Sequence, residues 1–456
     1  MRISHFERFA PRCPICVNQA RQSDLTNAVS FDPARLPRLV LHEVYHAETT
    51  LDLHEIIVHG VLRCAEQSCQ AEFPIIDGIP IVLANARETI AFSAGAILKR
   101  ADLPEPIEAM LGDCLGSSTG LTNGGGIVVG GGSGGGGAWF DRARLYAGAY
   151  ASDHYGMQID HAEASSKSQS NAQSNAQWNA QSNGFTSTLA SSTSYGAAAR
   201  IMERLVHMAG GFGGRLVHGQ AVGADTQSFA IDVIDIGCAT GGVCLRLAEL
   251  LGEDLSATAK QRNADALVLG IDINIGMLRI AQCVIRTGLA KYPLRREGLV
   301  YDHQEVQISP MARAHAHRVD FWCCDALALP IASRSVAACV ALNTLDSVAS
   351  PVGLLAELAR VTQTKGRVLL ASPFDWNASV TPVENWLGGH SQRAEHAGES
   401  ARVLAMLLSN GDDSTRGVGV LAQLRVLARD DMDWAVRLHA RATTIYKTHL
   451  LACEVE

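Results

Sequence analysis

The sequence predicts an α/β chain organised around one nucleotide-binding corner, with a small cysteine-bearing module in front and low-complexity insertions between its parts. Three observations carry that prediction. The apolar, β-branched run Ile231 to Ile236 ends in the small-residue turn Gly237-Cys-Ala-Thr-Gly-Gly242 and continues into Val243 to Leu251 at helical spacing. Further strand and helix patterns then alternate to about residue 375, the rhythm of a parallel sheet. Near the start stand two closely spaced cysteine pairs.

A chain of 456 residues, 47% of them hydrophobic, can bury two or three domain cores. Its formal charge of −8 argues against a general nucleic-acid binder, which needs a basic surface. The sequence holds no run of the roughly 20 apolar residues that a bilayer span needs, and Met1 to Arg8 lacks the apolar core of a signal peptide, so a cytoplasmic protein without a membrane is expected. Twelve cysteines in that compartment point to metal binding and packing rather than to disulfides.

Cys13-Pro-Ile-Cys16 and Cys64-Ala-Glu-Gln-Ser-Cys69 are two short knuckles, the arrangement that brings four thiolates around tetrahedral Zn²⁺. Four buried thiols and a redox Cys-x-x-Cys are the alternatives. A closed four-sulfur site has no open position for a substrate, so the expected role is structural. Asp77-Gly78 then joins two apolar strands as a tight hairpin. The segment from Leu62-Arg-Cys to Phe-Pro-Ile-Ile-Asp-Gly-Ile-Pro80 resembles the small zinc-ribbon family that activates tRNA and translation-factor methyltransferases. That resemblance implies a stabilising module or one that docks a protein partner. Residues 1–90 are thus expected to form a zinc-ribbon-like domain.

Residues 91–138 are expected to hold short amphipathic helices broken by Pro104 and Pro106, then a glycine-rich linker. The linker lacks the Lys-Ser/Thr ending of a phosphate loop. Residues 139–456 form the expected catalytic domain. A polar tract at about 163–196, with its repeated Gln-Ser-Asn-Ala, has too little apolar surface to fold and reads as a disordered insertion. Helical spacing resumes at Ala197 to Met208.

The glycine turn alone suits a dinucleotide and S-adenosylmethionine equally. The strands after it separate the two. Leu267 to Asp272 ends in an acid, Val319 to Cys324 ends in Asp325-Ala326, and Ser335 to Leu342 and Thr364 to Ser372 follow around a helix from Pro351 to Val361. This ordered set resembles the class I S-adenosylmethionine-dependent methyltransferases and implies a Rossmann-like, seven-stranded methyltransferase sheet. The resemblance implies a cofactor motif at Asp235, Gly237, Ala239 and Gly241, with Asp272 on the ribose, Asp325 and Ala326 beside the adenine, and Asn343 near the transferred methyl group. An NAD-binding Rossmann domain is the alternative.

Beyond the fifth strand, Ser372-Pro-Phe-Asp-Trp376 and Thr381 to Gly389 lie where ligands of open α/β sheets collect. Two tryptophans there suit either a lid over a flat substrate or a packed loop. These segments, with Asn343, Asp346 and His154-Tyr155-Gly156, resemble the C-terminal methyltransferase domain of the ovothiol biosynthesis enzyme, which methylates an imidazole nitrogen. The chain departs from that family in its ribbon and its insertions. The resemblance and chain position together mark Asp375, Asp346 and His154 as proton acceptors and Tyr155 and Asn343 as positioning groups. The expected function is N-methylation of a small, imidazole-type metabolite, with S-adenosylmethionine and structural Zn²⁺ as cofactors. A tRNA or protein methyltransferase and a non-catalytic scaffold are the alternatives.

Overall fold

The computed structural model describes residues 1–24, 36–49, 55–86, 104, 106–107, 136–156, 196–211, 232–253, 266–298, 300–408, 420–439 and 441–456. The glycine-rich linker, the polar tract and most of the helices expected over 91–138 lie outside the described residues.

The N-terminal module contributes helices α1 (Ile3–Phe9) and α2 (Pro14–Asp24) and strands β1 (Leu39–Thr49), β2 (Glu55–Cys64), β3 (Glu72–Ile76) and β4 (Ile79–Val82). Asp77 and Gly78 turn β3 into β4 with φ of 56° and 84°, the left-handed pair that a two-residue hairpin needs. Next come α3 (Gly136–Tyr155), α4 (Ala197–Met208), β5 (Asp232–Ile236), α5 (Gly242–Glu253), β6 (Leu267–Asp272) and α6 (Ile275–Thr287). Strands β7 (Leu289–Glu297) and β8 (Val300–Gln307) form a separate hairpin. The chain ends with α7 (Pro310–His315), β9 (Val319–Cys324), β10 (Val336–Leu342), α8 (Pro351–Val361), β11 (Thr362–Ser372), α9 (Ser400–Leu408), β12 (Leu424–His439) and β13 (Ala442–Val455).

Where a seven-stranded sheet was expected, one sheet of eleven strands runs β1-β2-β3-β4-β9-β6-β5-β10-β11-β13-β12. Seven of these strands come from residues 232–455 and four from the N-terminal module. The seam is a parallel pairing in which Ile81 faces Cys323 and Val82 faces Cys324. All four residues of β4 are buried, so no face of this strand is left for water, and pairing its free edge with β9 satisfies the backbone as well.

Side chains reinforce the seam. The ring of Trp322, fully buried on β9, receives Phe6 and Phe9 at 6.2 and 5.7 Å. The Arg2 amide donates to Asp320 at 2.8 Å, and Arg8 Nε donates to Asp232 at 2.8 Å. On one face of the sheet α3 to α6 cover Val233, Val268, Phe321 and Leu450; on the other, α1, α8 and α9 cover Ile234, Leu269, Trp322 and Leu451. Successive residues of a strand alternate between the two cores, as the pleat requires. Among the described residues no helix is long and apolar enough to cross a membrane.

Candidate donor and acceptor site

The turn from β5 into α5 is shaped by backbone that L-residues avoid. Gly237 and Gly241 have φ of 74° and 84°. A Cβ on Gly237 would stand 2.3 Å from the Thr344 hydroxyl, and one on Gly241 would stand 2.4 Å from the Phe321 ring. Ala239 also adopts a left-handed φ of 48°. Its amide donates to Asp272 Oδ2 at 2.9 Å, while Asn274 donates to Oδ1 at 2.8 Å. The carboxylate that ends β6 thus lies directly against the glycine turn, and burial holds its pKa above the usual carboxylate range.

Asp235 is buried beneath α5 rather than open to the turn. It accepts from the Cys244 thiol at 3.1 Å. Burial raises its pKa to about 7, with the thiol lowering it and Asp272 adding to the rise. At the end of β9, Asp325 accepts the Leu327 amide at 2.8 Å, and Ala326 beside it is half-buried. Asn343 leaves β10 with φ of 51° and donates its amide to Ala371 at 2.7 Å. Its buried Oδ1 has no hydrogen-bond partner among the described residues. A close-approach turn, an acid at the end of the next strand and an unpartnered buried oxygen fit a nucleoside-bearing donor.

His154 and Tyr155 hold this turn from behind. His154 Nδ1 is 3.0 Å from the Gly242 amide, which donates to it, and 2.8 Å from the Thr240 hydroxyl. The Tyr155 hydroxyl donates to the Thr240 carbonyl. Burial lowers the His154 pKa to about 4, so the ring is neutral with its proton on Nε2. Its accepting nitrogen is therefore engaged by the Gly242 amide and faces the Thr240 hydroxyl.

Asp346 and Asp375 do meet. Asp346, 3% exposed, accepts the Asp375 amide on Oδ2 at 2.8 Å. Burial raises its pKa, offset by the Asp375 amide and by the Ser372 hydroxyl. The Asp375 residue is exposed. The two tryptophans stack on each other at 5.9 Å and 15°, with Trp376 Nε1 donating to Ser400 at 3.0 Å and Trp386 Nε1 to the Thr381 carbonyl at 2.8 Å. They form a packed loop, and its Phe374 lies against His449 at 6.0 Å.

The four cysteines converge as their spacing predicts. The Sγ atoms of Cys13, Cys16, Cys64 and Cys69 all lie within 4.8 Å of one another. Cys13–Cys69 and Cys16–Cys64 are each 3.8 Å apart, too far for a disulfide. A tetrahedron with metal–sulfur bonds of about 2.3 Å has edges of about 3.8 Å, so the set fits one zinc ion. Burial and the neighbouring sulfurs push the Cys16 thiol up to about 12, a cost that a divalent cation would offset.

Sequence reasoning gave no site role to Tyr150 of α3 or to Tyr446 and Thr448 of β13. Thr448 is fully buried and its Oγ1 has no hydrogen-bond partner among the described residues, which no local sequence signal foretells.

Residues 228–407 match the family model described as a methyltransferase domain. None of the curated proteins matches the chain. Among solved structures the chain is similar to phosphoethanolamine N-methyltransferase 2 of Haemonchus contortus in complex with phosphomonomethylethanolamine and S-adenosylhomocysteine, at 17% identity and TM-score 0.22, covering 32% of this chain and 25% of that one. It thus spans only about a quarter of that relative's length. A SAM-dependent methyltransferase of Methanosarcina mazei is similar at 18% identity and TM-score 0.29, over 50% and 93% of the two chains. The complex of the Haloferax volcanii Trm112 methyltransferase activator with a methyltransferase gives 13% and 0.27, over 57% and 93%. The match to the methyltransferase-domain family model is thus confined to residues 228–407, less than half of the chain.

Proposed function

We propose that the chain transfers a methyl group from S-adenosylmethionine to a nitrogen of a small, imidazole-type metabolite. The observation that carries the donor assignment is the contact of Asp272 with the Ala239 amide, which sets a carboxylate against the glycine turn where a ribose would hydrogen-bond. Bound there, the sulfonium donor supplies an electrophilic methyl group. The residues would act by placement: Gly237, Gly241 and Ala239 admit the donor, Asp325 and Ala326 border the adenine, and the free Oδ1 of Asn343 receives a donor or acceptor N–H.

An acceptor nitrogen held in line with the donor would take up that methyl group. An N–H proton must leave. Asp346 and Asp375 would be the carboxylates that take it, a role supported by the burial that raises the affinity of Asp346 for protons. His154 and Tyr155 would keep the turn in shape. Cys13, Cys16, Cys64 and Cys69 would hold a structural zinc, supported by their sulfur geometry.

Incubation of the protein with labelled S-adenosylmethionine and a metabolite extract tests the reading by mass spectrometry. A product gaining one labelled methyl on an imidazole nitrogen is expected. Methylated tRNA or protein in place of a small product would redirect the substrate assignment, and failure to bind S-adenosylhomocysteine would remove the donor assignment.

A further inference from the structure

Three tyrosines that the roles above do not use, Tyr146, Tyr150 and Tyr446, lie within electrostatic range of one another. Tyr146 and Tyr150 are one turn apart on α3, so they leave the helix on the same side. Tyr446 approaches from β13, where it pairs with Trp434 of β12. The electrostatic neighbours of Tyr150 are Tyr446, Tyr146, Asp272 and Asp346. Those of Tyr446 are Asp375, Tyr146 and Asp346. Tyr150 is thus within electrostatic range both of Asp272 beside the glycine turn and of Asp346.

Two residues along β13, on the same face as Tyr446, Thr448 is fully buried and its Oγ1 has no hydrogen-bond partner among the described residues. Asn343 Oδ1 is a second such atom. In the sheet, Leu342 pairs with Ala371 and His449 with Ser372, so Asn343 and Thr448 flank the end of β11 from its two sides. A buried oxygen without a partner is costly, and N–H donors of a ligand would offset both. Burial bears most on Asp346 and raises its pKa, backbone amides and the Ser372 hydroxyl lower it, and the Asp375 charge adds to the rise.

We infer that the acceptor pocket takes its substrate as a nitrogen cation, an ammonium or imidazolium group seated against Tyr150 and Tyr446, neutralised by Asp346 and Asp375, and donating N–H to Asn343 or Thr448. This rests on reading the sheet edge as the acceptor side. Ring faces attract cations, carboxylates neutralise them, and unpartnered oxygens accept their protons. Before methyl transfer the cation gives one proton to Asp346: the N–H bond breaks, a carboxyl O–H forms, and the freed lone pair becomes the nucleophile. Any anionic part of the substrate would extend past Tyr146, which is 46% exposed.

The test compares two probes of nearly equal shape on protein saturated with S-adenosylhomocysteine. At about pH 6, 1-methylimidazole is mainly a cation, while 1-methylpyrazole stays neutral. The cation is expected to bind about tenfold tighter. Asp346→Asn and Tyr446→Leu should each bring that ratio close to one, with far-ultraviolet circular dichroism as in the wild type. Equal binding, preference for the pyrazole, no binding of either probe, or a ratio that survives both substitutions overturns the inference. The titrations are repeated without S-adenosylhomocysteine. Loss of nucleoside binding with the cation preference intact would overturn the donor reading alone, and nucleoside binding without the preference would overturn the pocket alone.

Discussion

The imidazole of His154 accepts the Gly242 amide at 3.0 Å, so a ring from the end of α3 caps the start of α5. An imidazolium could not accept that proton, and the positive end of the helix also opposes charging it.

The pH dependence follows from that contact. The unfolded ring titrates near 6.5 and the folded one near 4, because burial disfavours the cation. The unfolded chain therefore binds more protons between those values, and stability should fall as pH drops through this window and be full above it. His154→Gln retains an acceptor without the titration, so thermal melts across the window should become flatter. A slope equal to that of the wild type would count against the capping role.

Gly241→Ala places a methyl group 2.4 Å from the Phe321 ring at a backbone φ of 84°. The substitution should destabilise the chain by about 1–3 kcal/mol in urea unfolding. Calorimetric affinity for S-adenosylhomocysteine should fall at least about tenfold. Unchanged affinity would mean that the donor does not approach this turn.

Asp272→Asn leaves one carbonyl oxygen to serve both the Ala239 and Asn274 amides that the carboxylate now accepts. S-adenosylhomocysteine should bind about 10–100-fold more weakly, since charged hydrogen bonds to a ribose are the stronger kind. A nearly normal dissociation constant would remove Asp272 from the donor site.

Metal analysis should find one zinc per chain, falling towards zero in Cys64→Ser. Chelation should lower the melting temperature by about 5–10 °C, since the ion binds the folded state. The loss should appear in the main transition, because β4 is paired with β9 in the sheet that carries the glycine turn. An early, separate transition would indicate a module that unfolds on its own.

Much of this arrangement was legible in local sequence. Asp77-Gly78 specifies its hairpin by backbone conformation alone, and the helices Ala197–Met208 and Pro351–Val361 begin and end where their apolar spacing does. The glycine turn and the acid ending β6 could be placed because both are consequences of a few adjacent residues. What was not legible depends on distant pairing. Nothing near Ile81 says that it will lie beside Cys323, and the β7–β8 hairpin fell in a stretch without strong turn chemistry. The role of His154 was obscured for the same reason, since its partner lies 88 positions away.

The pairing of Ile81 and Val82 with Cys323 and Cys324 also fixes a ratio. When two elements share one chain and one sheet, each catalytic unit is born with its own edge strand, and dilution cannot separate them. Encounter is replaced by tethering, in which linkage within one chain stands in for free concentration. Abundance of the β5–β13 unit and abundance of the module that extends its sheet then become a single quantity, set by one translation event.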